Sequence, residues 1–235
     1  MMDLKRFFTD EKVDGSKIIL RGAEFIHATK VTRHKVGYKI IICDNTNKDY
    51  YSTIQEINKD FLIAHVDNVE INTTENDLEV KLFIGNNKDI DTVVQKAVEL
   101  GVTEIIPFSS QHCNVKNLNL DRLNKIIIES SKQCGRSKLA TIKDLVSLQE
   151  AIEIARDSQI VLFYEHETEK KVKDLTFNKE LPISIFIGCE GGFSIEEVES
   201  FVKLGVVPCS LGKRILRVST AVVSAITLIN DKIDE

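Results

Sequence analysis

A chain of 235 residues, 43% hydrophobic and 29% charged, has room for one large core or two small ones and the balance of a globular protein. No apolar run nears the roughly 20 residues that a bilayer-spanning helix needs, and the opening Met1-Met2-Asp3-Leu4-Lys5-Arg6 lacks the apolar stretch of a secretory signal, so a cytoplasmic protein without a membrane partner is expected. The net charge of −5 speaks against nucleic-acid binding at first sight, and the five cysteines (43, 113, 134, 189, 209), odd in number and without a C-x-x-C pair, point to neither a disulfide framework nor a metal site.

The charge is unevenly spread. Residues 1–39 carry nine Lys/Arg against five Asp/Glu, and residues 112–143 carry seven against two. Either basic island alone reads as a solvated charged face; used together they would suit RNA phosphate.

In chain order, residues 27–33 read as a helical turn followed by a loop. Three strands follow at 36–44, 50–57 and 61–68, rich in β-branched and aromatic residues and separated by the polar turns 45–49 and 58–60. Strands this short and evenly spaced predict a small β-barrel. The wholly polar Asn72-Thr73-Thr74-Glu75-Asn76-Asp77 predicts a linker, dividing the chain into domains 1–71 and 78–235.

Past the linker, strands and helices alternate: strand 80–84, helix 90–100, strand 103–108, helix 122–134, a helix from Ser147 to 157 and strand 159–164. That alternation predicts an α/β domain with a mostly parallel sheet. Ile183-Ser184-Ile185-Phe186-Ile187 is a buried-strand run, Ser194 with Glu197 forms a capping box, and Gly205 stops the helix that it opens. A second strand is predicted at 206–211, then a loop at 212–217, then a last helix capped by Ser219 or Thr220. Residues 221–229 of that helix are apolar except Ser224 and Thr227, which predicts more apolar surface than one domain covers and hence a homodimer.

The chemistry is concentrated in the two loops. Gly188, Gly191 and Gly192 let the backbone approach a ligand just before a helix N-terminus, and loop 212–217 opens at the end of the next predicted strand. Open α/β sheets bind ligands in the crevice beyond their strand C-termini. A bare packing turn accounts for either loop singly, whereas the two together favour a site.

Gly188-Cys189-Glu190-Gly191-Gly192-Phe193 followed by Leu211-Gly212-Lys213-Arg214-Ile215-Leu216-Arg217-Val218-Ser219-Thr220-Ala221 resembles the C-terminal signature of the SPOUT RNA methyltransferases, and among them the RsmE family. Gln95-Lys96-Ala97-Val98-Glu99-Leu100-Gly101-Val102 and Glu129-Ser130-Ser131-Lys132-Gln133-Cys134-Gly135-Arg136 are similar to further motifs of that family. Arg6-Phe7-Phe8 and the His27, Val31, Arg33 spacing are similar to its N-terminal PUA-like domain. The departures are Cys189 in place of proline, Ser219 in place of glutamate, Leu139-Ala140 in place of Val-Pro and Asn86 in place of lysine.

The resemblance implies a PUA-like β-barrel holding RNA and a trefoil-knotted domain holding S-adenosylmethionine. Methyl transfer would go to N3 of a uridine in small-subunit ribosomal RNA, free or in the assembled subunit, by a homodimer. It implies cofactor binding by Ile187, Gly188, Glu190, Gly191, Gly192, Leu211, Gly212, Ile215, Leu216, Arg217, Thr220 and Ala221, and RNA binding by Arg6, Arg33 and Arg136; the scattered cysteines and histidines predict no metal. The imide N3 attacks only once its developing anion is stabilised or its proton removed. Arg136 is the expected electrophile, Glu190 the candidate base or ribose contact, and Arg217 the partner of a phosphate or of the cofactor carboxylate. Three alternatives stay open: a catalytically silent RNA-binding assembly factor on the same fold, a SPOUT methyltransferase for another RNA, or a nucleotide-phosphate enzyme, which would lack both G-x-x-x-x-G-K-[ST] and G-x-G-x-x-G.

Overall fold

The computed structural model describes residues 4–114 and 117–234; Met1 to Asp3 and Lys116 of the second basic island lie outside the described residues. Two compact units emerge, residues 1–75 with 128–139 and residues 76–127 with 140–235. A single cut at 72–77 therefore does not describe the division, because 128–139 groups with the N-terminal strands.

The first unit contains β1 (Arg6–Phe8), β2 (Lys17–Arg21), α1 (Gly22–Ile26) running into a π-helical turn (His27–Val31), β3 (Lys39–Cys43), β4 (Lys48–Ile57) and β5 (Phe61–Ile71). The strands order as β1-β3-β4-β5-β2, antiparallel except for β1 beside β3. Alternation along the strands turns Ile18, Leu20, Ile40, Ile42, Leu62 and Ala64 to one face, where Phe7, Phe25 and Ala28 complete the core. The strands expected to make a small β-barrel form an open five-stranded sheet. β1 and β2 end it on either side, and the Thr9 hydroxyl donates to the Ile19 carbonyl at 2.8 Å where closure would need a ladder.

One buried polar knot ties this unit together. Arg6 is ion-paired with Asp49 and donates to the Ser137 hydroxyl at 2.7 Å, while the Asn72 amide donates to Asp49 at 3.1 Å and to the Gly135 carbonyl at 2.9 Å. Burial raises the Asp49 pKa, but the hydrogen bonds from Arg6, Ser137 and Asn72 outweigh it and hold the carboxyl below its usual value. A depressed folded pKa adds stability above the unfolded pKa of about 3.9, lost as pH falls through the folded value. Asp49→Asn is expected to cost about 3 kcal/mol in urea melts at pH 7, since it strands the Arg6 charge. The gap from the native chain should shrink below pH 4; a gap equal at pH 7 and pH 3 refutes the assignment.

The second unit contains β6 (Val80–Gly85), α2 (Ile90–Glu99), β7 (Glu104–Ser109), the first half of α3 (Leu120–Cys134), β8 (Thr141–Ile142), β9 (Val146–Ser147), α4 (Leu148–Ile154), β10 (Gln159–Leu162), a 3-10 turn (Val172–Asp174), β11 (Ile183–Ile187), α5 (Ile195–Val202) and α6 (Val218–Asp234). Every pairing in the order β10-β11-β6-β7-β8 is parallel, and β9 pairs farther along β7. β11 is buried throughout, and its Phe186 stacks on Phe83 with ring centroids 4.3 Å apart. Both predicted capping boxes form, at Ser147/Glu150 and Ser194/Glu197.

Two expectations are corrected here. Residues 206–211 make no strand, only a bridge of Cys209 to Phe163, because Pro208 has no N–H to give a ladder. The last helix starts at Val218, ahead of the expected caps Ser219 and Thr220. Its Val218, Val222, Ala225, Ile226, Ile229 and Ile233 are buried within the unit, while Thr220, Thr227 and Asp231 are exposed. The helix thus buries one apolar stripe within its unit, chiefly against α2 and β11, and leaves Leu228 exposed beside Thr227 and Asp231.

Candidate active-site cleft

The parallel sheet sets the C-terminal ends of β6, β10 and β11 on one side, and a cleft of about 570 Å³ opens there. Its floor is a tight turn after β11, closed by the Gly192 N–H donating to the Cys189 carbonyl at 3.0 Å. Close packing dictates glycine at several positions around it. A Cβ at Gly85 would lie 2.3 Å from the Cys189 nitrogen, one at Gly191 2.6 Å from the His112 Cβ, and one at Gly192 1.9 Å from a Glu165 carboxylate oxygen. Gly192 also has φ +67°, so the left-handed residue of the loop is Gly192 and not Gly191.

A second wall is the loop between residues 211 and 217, where Leu211, Ile215 and Leu216, with Val218 of α6, are apolar and Arg214 and Arg217 are charged. Phe163, Tyr164, Glu165 and His166, which follow β10, form the third side, and Asp89 the edge. Glu190 is exposed and accepts the Lys88 N–H at 3.1 Å, which braces the turn against the segment after β6. The cleft thus joins apolar surface, a carboxylate set (Asp89, Glu165, Glu190) and two guanidinium groups, a donor set that suits a zwitterionic, cationic ligand with an aromatic ring.

Of the residues expected to bind cofactor, Ile187, Gly188, Glu190, Gly191, Gly192, Leu211, Gly212, Ile215, Leu216, Arg217 and Ala221 line this cleft together. Thr220 is exposed and is not among the lining residues, nor is Ser219. Sequence reasoning missed Gly85, Asp89, Arg214 and the run from Phe163 to His166. The last of these was within reach, since it follows a predicted strand into the crevice beyond the sheet.

The arginines expected to meet RNA separate. Arg33 is exposed, with φ +56° just past the π-helical turn. Arg6 is locked on Asp49 with its side chain 9% exposed. Arg136 is 2% exposed, and its Nε and Nη2 donate to the two Glu75 carboxylate oxygens at 2.7 Å each. The guanidinium expected to act as an electrophile is thus paired with a half-buried carboxylate of its own unit, and Arg136 is not among the residues lining the cleft.

Two further clusters of titratable groups stand out. In the first unit, Glu24, His27 and Glu129 are spaced to share a cation, and the Lys132 ammonium sits among them at 2.6, 3.3 and 2.8 Å. In the second, the Cys113 sulfur lies 3.1 Å from the Ser110 hydroxyl and donates to the Phe108 carbonyl at 3.9 Å, with Cys189 in the neighbouring turn. Cys189 and Ser110 lower the Cys113 pKa against its burial, while Cys113 and burial raise that of Cys189.

With this geometry in hand, the comparisons are specific. The RNA methyltransferase domain family matches residues 74–230. The chain is 32% identical over 211 residues to the ribosomal RNA small subunit methyltransferase E of Buchnera aphidicola subsp. Schizaphis graminum, covering 86% of this chain and 85% of that one. It is 28% identical over 229 residues to the protein of the same name from Bacillus subtilis, covering 90% and 88%. Among solved structures, a ribosomal RNA small subunit methyltransferase E from Neisseria gonorrhoeae bound to S-adenosyl methionine superposes with a TM-score of 0.87 at 26% identity, over 97% of both chains.

Proposed function

Since the chain belongs to the RNA methyltransferase family, in its ribosomal RNA small subunit methyltransferase E branch, we propose that it methylates N3 of a uridine in small-subunit ribosomal RNA with S-adenosylmethionine as donor. The observation that carries this reading is the cleft formed by the turn after β11 and the 211–217 loop, at the strand C-termini. Its volume of about 570 Å³ lies within the range of small-molecule sites, and its floor is glycine backbone packed too closely on its neighbours to take a Cβ at Gly191 or Gly192. The cofactor, when bound, supplies a methyl group on a sulfonium already activated for displacement, so alignment is most of what the protein must add.

Each residue then has a defined task. Ile187, Leu211, Ile215 and Leu216 take the apolar ring of the donor and exclude water. Glu190 and Glu165 face its hydroxyl and ammonium groups. Arg217, with Arg214 beside it, stabilises the charge that grows on the uridine carbonyl oxygens as N3 gives up its proton, the role the sequence had assigned to Arg136. Arg33 and the remaining exposed lysines of the first island take backbone phosphate. We read the open five-stranded sheet as a PUA-like RNA-binding module and the convergence of the two loops as the knotted crossing of a SPOUT domain, in a cytoplasmic enzyme; among the described residues no helix is long and apolar enough to cross a membrane.

Arg217→Ala is expected to lower turnover on small-subunit RNA about 100- to 1,000-fold, the range for loss of one charge-stabilising donor. Affinity for S-adenosylhomocysteine, measured by calorimetry, should change less than tenfold. Turnover within threefold of the native chain sinks the assignment. Mass spectrometry of small-subunit RNA from a deletion strain identifies the product directly: a uridine that loses its methyl group confirms the reaction, and an unchanged RNA refutes it.

A homodimer fits the same reading. The buried stripe of α6 accounts for part of its apolar surface, while Leu228 on that helix is 44% exposed and Ile215 beside the cleft 88% exposed. Light scattering is expected to give twice the chain mass for the native protein and a shift to the monomer for Leu228→Glu. Ile226 is fully buried, so a charge there would unfold the unit and report nothing about association.

A further inference from the structure

Between Glu24 and Asp44 the chain carries no carboxylate, and Lys30, Arg33, Lys35 and Lys39 of that stretch are all exposed. Arg6, Arg21 and Lys132 of the same unit are ion-paired, whereas among the described residues these four cations are not. Interleaved with them in the chain are Ile26, Val31, Val36 and Tyr38, each at least half exposed. A solvated basic face has no use for large apolar side chains, so the mixture calls for a partner that is both anionic and apolar.

The backbone of this stretch is held in an uncommon form. The π-helical turn is closed by the Thr32 N–H donating to the His27 carbonyl at 2.9 Å, and Arg33 follows at φ +56°, where a long side chain is seldom found. His34 is fixed next: its N–H donates to the Ala28 carbonyl at 2.9 Å, and its Nδ1 lies 2.7 Å from the Thr32 hydroxyl. Its ring meets the buried Phe7 ring edge-on at 5.6 Å and the Tyr38 ring at 5.8 Å. The Tyr38 N–H donates to the Lys35 carbonyl and its carbonyl accepts the Ile54 N–H, both at 3.0 Å. Three rings thus run in contact from the core to the surface, and the outermost is 50% exposed on an anchored backbone.

We infer that Tyr38 is a stacking platform for one unpaired nucleobase of RNA, with Lys35 in the same turn and Lys39 beside it taking the flanking phosphates. The inference rests on the reading of this unit as an RNA-binding module and names the form of RNA that it takes. Phosphate contacts need cations alone, and single and double strands both offer phosphate. An exposed aromatic ring held in place adds a π-face, which only a base out of the duplex can cover. Duplex RNA keeps its bases stacked inside, so the ligand is a single strand or a loop. Stacking accepts any base, so this platform holds the strand without reading its sequence.

The test is fluorescence anisotropy on the full chain, with a short labelled oligouridylate and an RNA duplex of the same length, over a series of salt concentrations. Tyr38→Ala should bind the oligouridylate about tenfold more weakly, within the range for one stacked base, with an unchanged slope against log salt. Tyr38→Phe should stay within threefold of the native chain. Tyr38→Leu, which keeps apolar bulk beside His34 without the π-face, should lose as much as Tyr38→Ala. Lys35→Gln should instead lower the salt slope by about 0.7, the value for one phosphate of a single strand. On the duplex, Tyr38→Ala and the native chain should bind alike. Binding of the oligouridylate by Tyr38→Ala or Tyr38→Leu within twofold of the native chain overturns the inference, and so does an equal loss on the duplex. Retention of the native chain on phosphatidylserine vesicles, lost in Tyr38→Ala while RNA binding persists, reassigns the surface to a membrane. A native chain that binds neither RNA at low salt is a different result: it overturns the RNA-binding reading of the unit, and the platform with it.

Discussion

Gly192→Val is expected to weaken S-adenosylhomocysteine binding at least a hundredfold, about 2.7 kcal/mol. Two independent costs meet at this position. The backbone stands at φ +67°, which a β-branched residue scarcely adopts. A Cβ there would also fall 1.9 Å from a Glu165 carboxylate oxygen, forcing that side chain off the cleft wall that it lines. Gly191→Val tests the second cost nearly alone, because Gly191 has no left-handed φ and its Cβ would meet only the His112 side chain and backbone. Its loss should be smaller. The rest of the unit should stay folded, since Ser194 still caps α5 and Phe193 still packs with Phe108 and Phe201. Calorimetry on variants shown by circular dichroism to be folded decides the matter: affinity within threefold for Gly192→Val takes the turn out of the site.

The parts of this molecule written in local chemistry could be read from its sequence. Two capping boxes, the β-branched runs of β6, β7 and β11 and the glycine turn are each set by residues within a few positions of one another, and each appears where the pattern puts it. What could not be read depends on partners far along the chain. β2 and β1 are short, and the sheet order that uses them is fixed by long-range pairing, so neither was evident and the sheet was taken to close. The run 206–211 has strand composition, yet Pro208 and the neighbouring strand's end leave it a single bridge. The apolar length of α6 suggested an unsatisfied face, but periodicity along a helix does not say how much of it α2 and β11 cover. Arg136 is the sharpest case. Its place at a helix end after Gly135 is compatible with a projecting guanidinium, and only the fold shows that Glu75, 61 residues earlier, is already there.

That pairing leads to the second large effect. Arg136→Ala is expected to destabilise the protein by about 3–5 kcal/mol, the usual result of leaving one member of a buried ion pair without its partner. Glu75 is 14% exposed and would keep its charge away from water with the bidentate donor removed. The same reasoning makes the pair a poor source of net stability: Glu75→Ala alone should cost a similar amount, because it strands the guanidinium. The double variant should be more stable than the sum of the single losses predicts, with a coupling of at least 1 kcal/mol in a double-mutant cycle of urea melts. At a temperature where the single variant is still folded, its affinity for S-adenosylhomocysteine should match the native chain, since Arg136 does not line the cleft. The opposite pattern is equally readable. Unchanged stability with methyl transfer lost would return Arg136 to the reacting base and require Glu75 to release it when RNA binds.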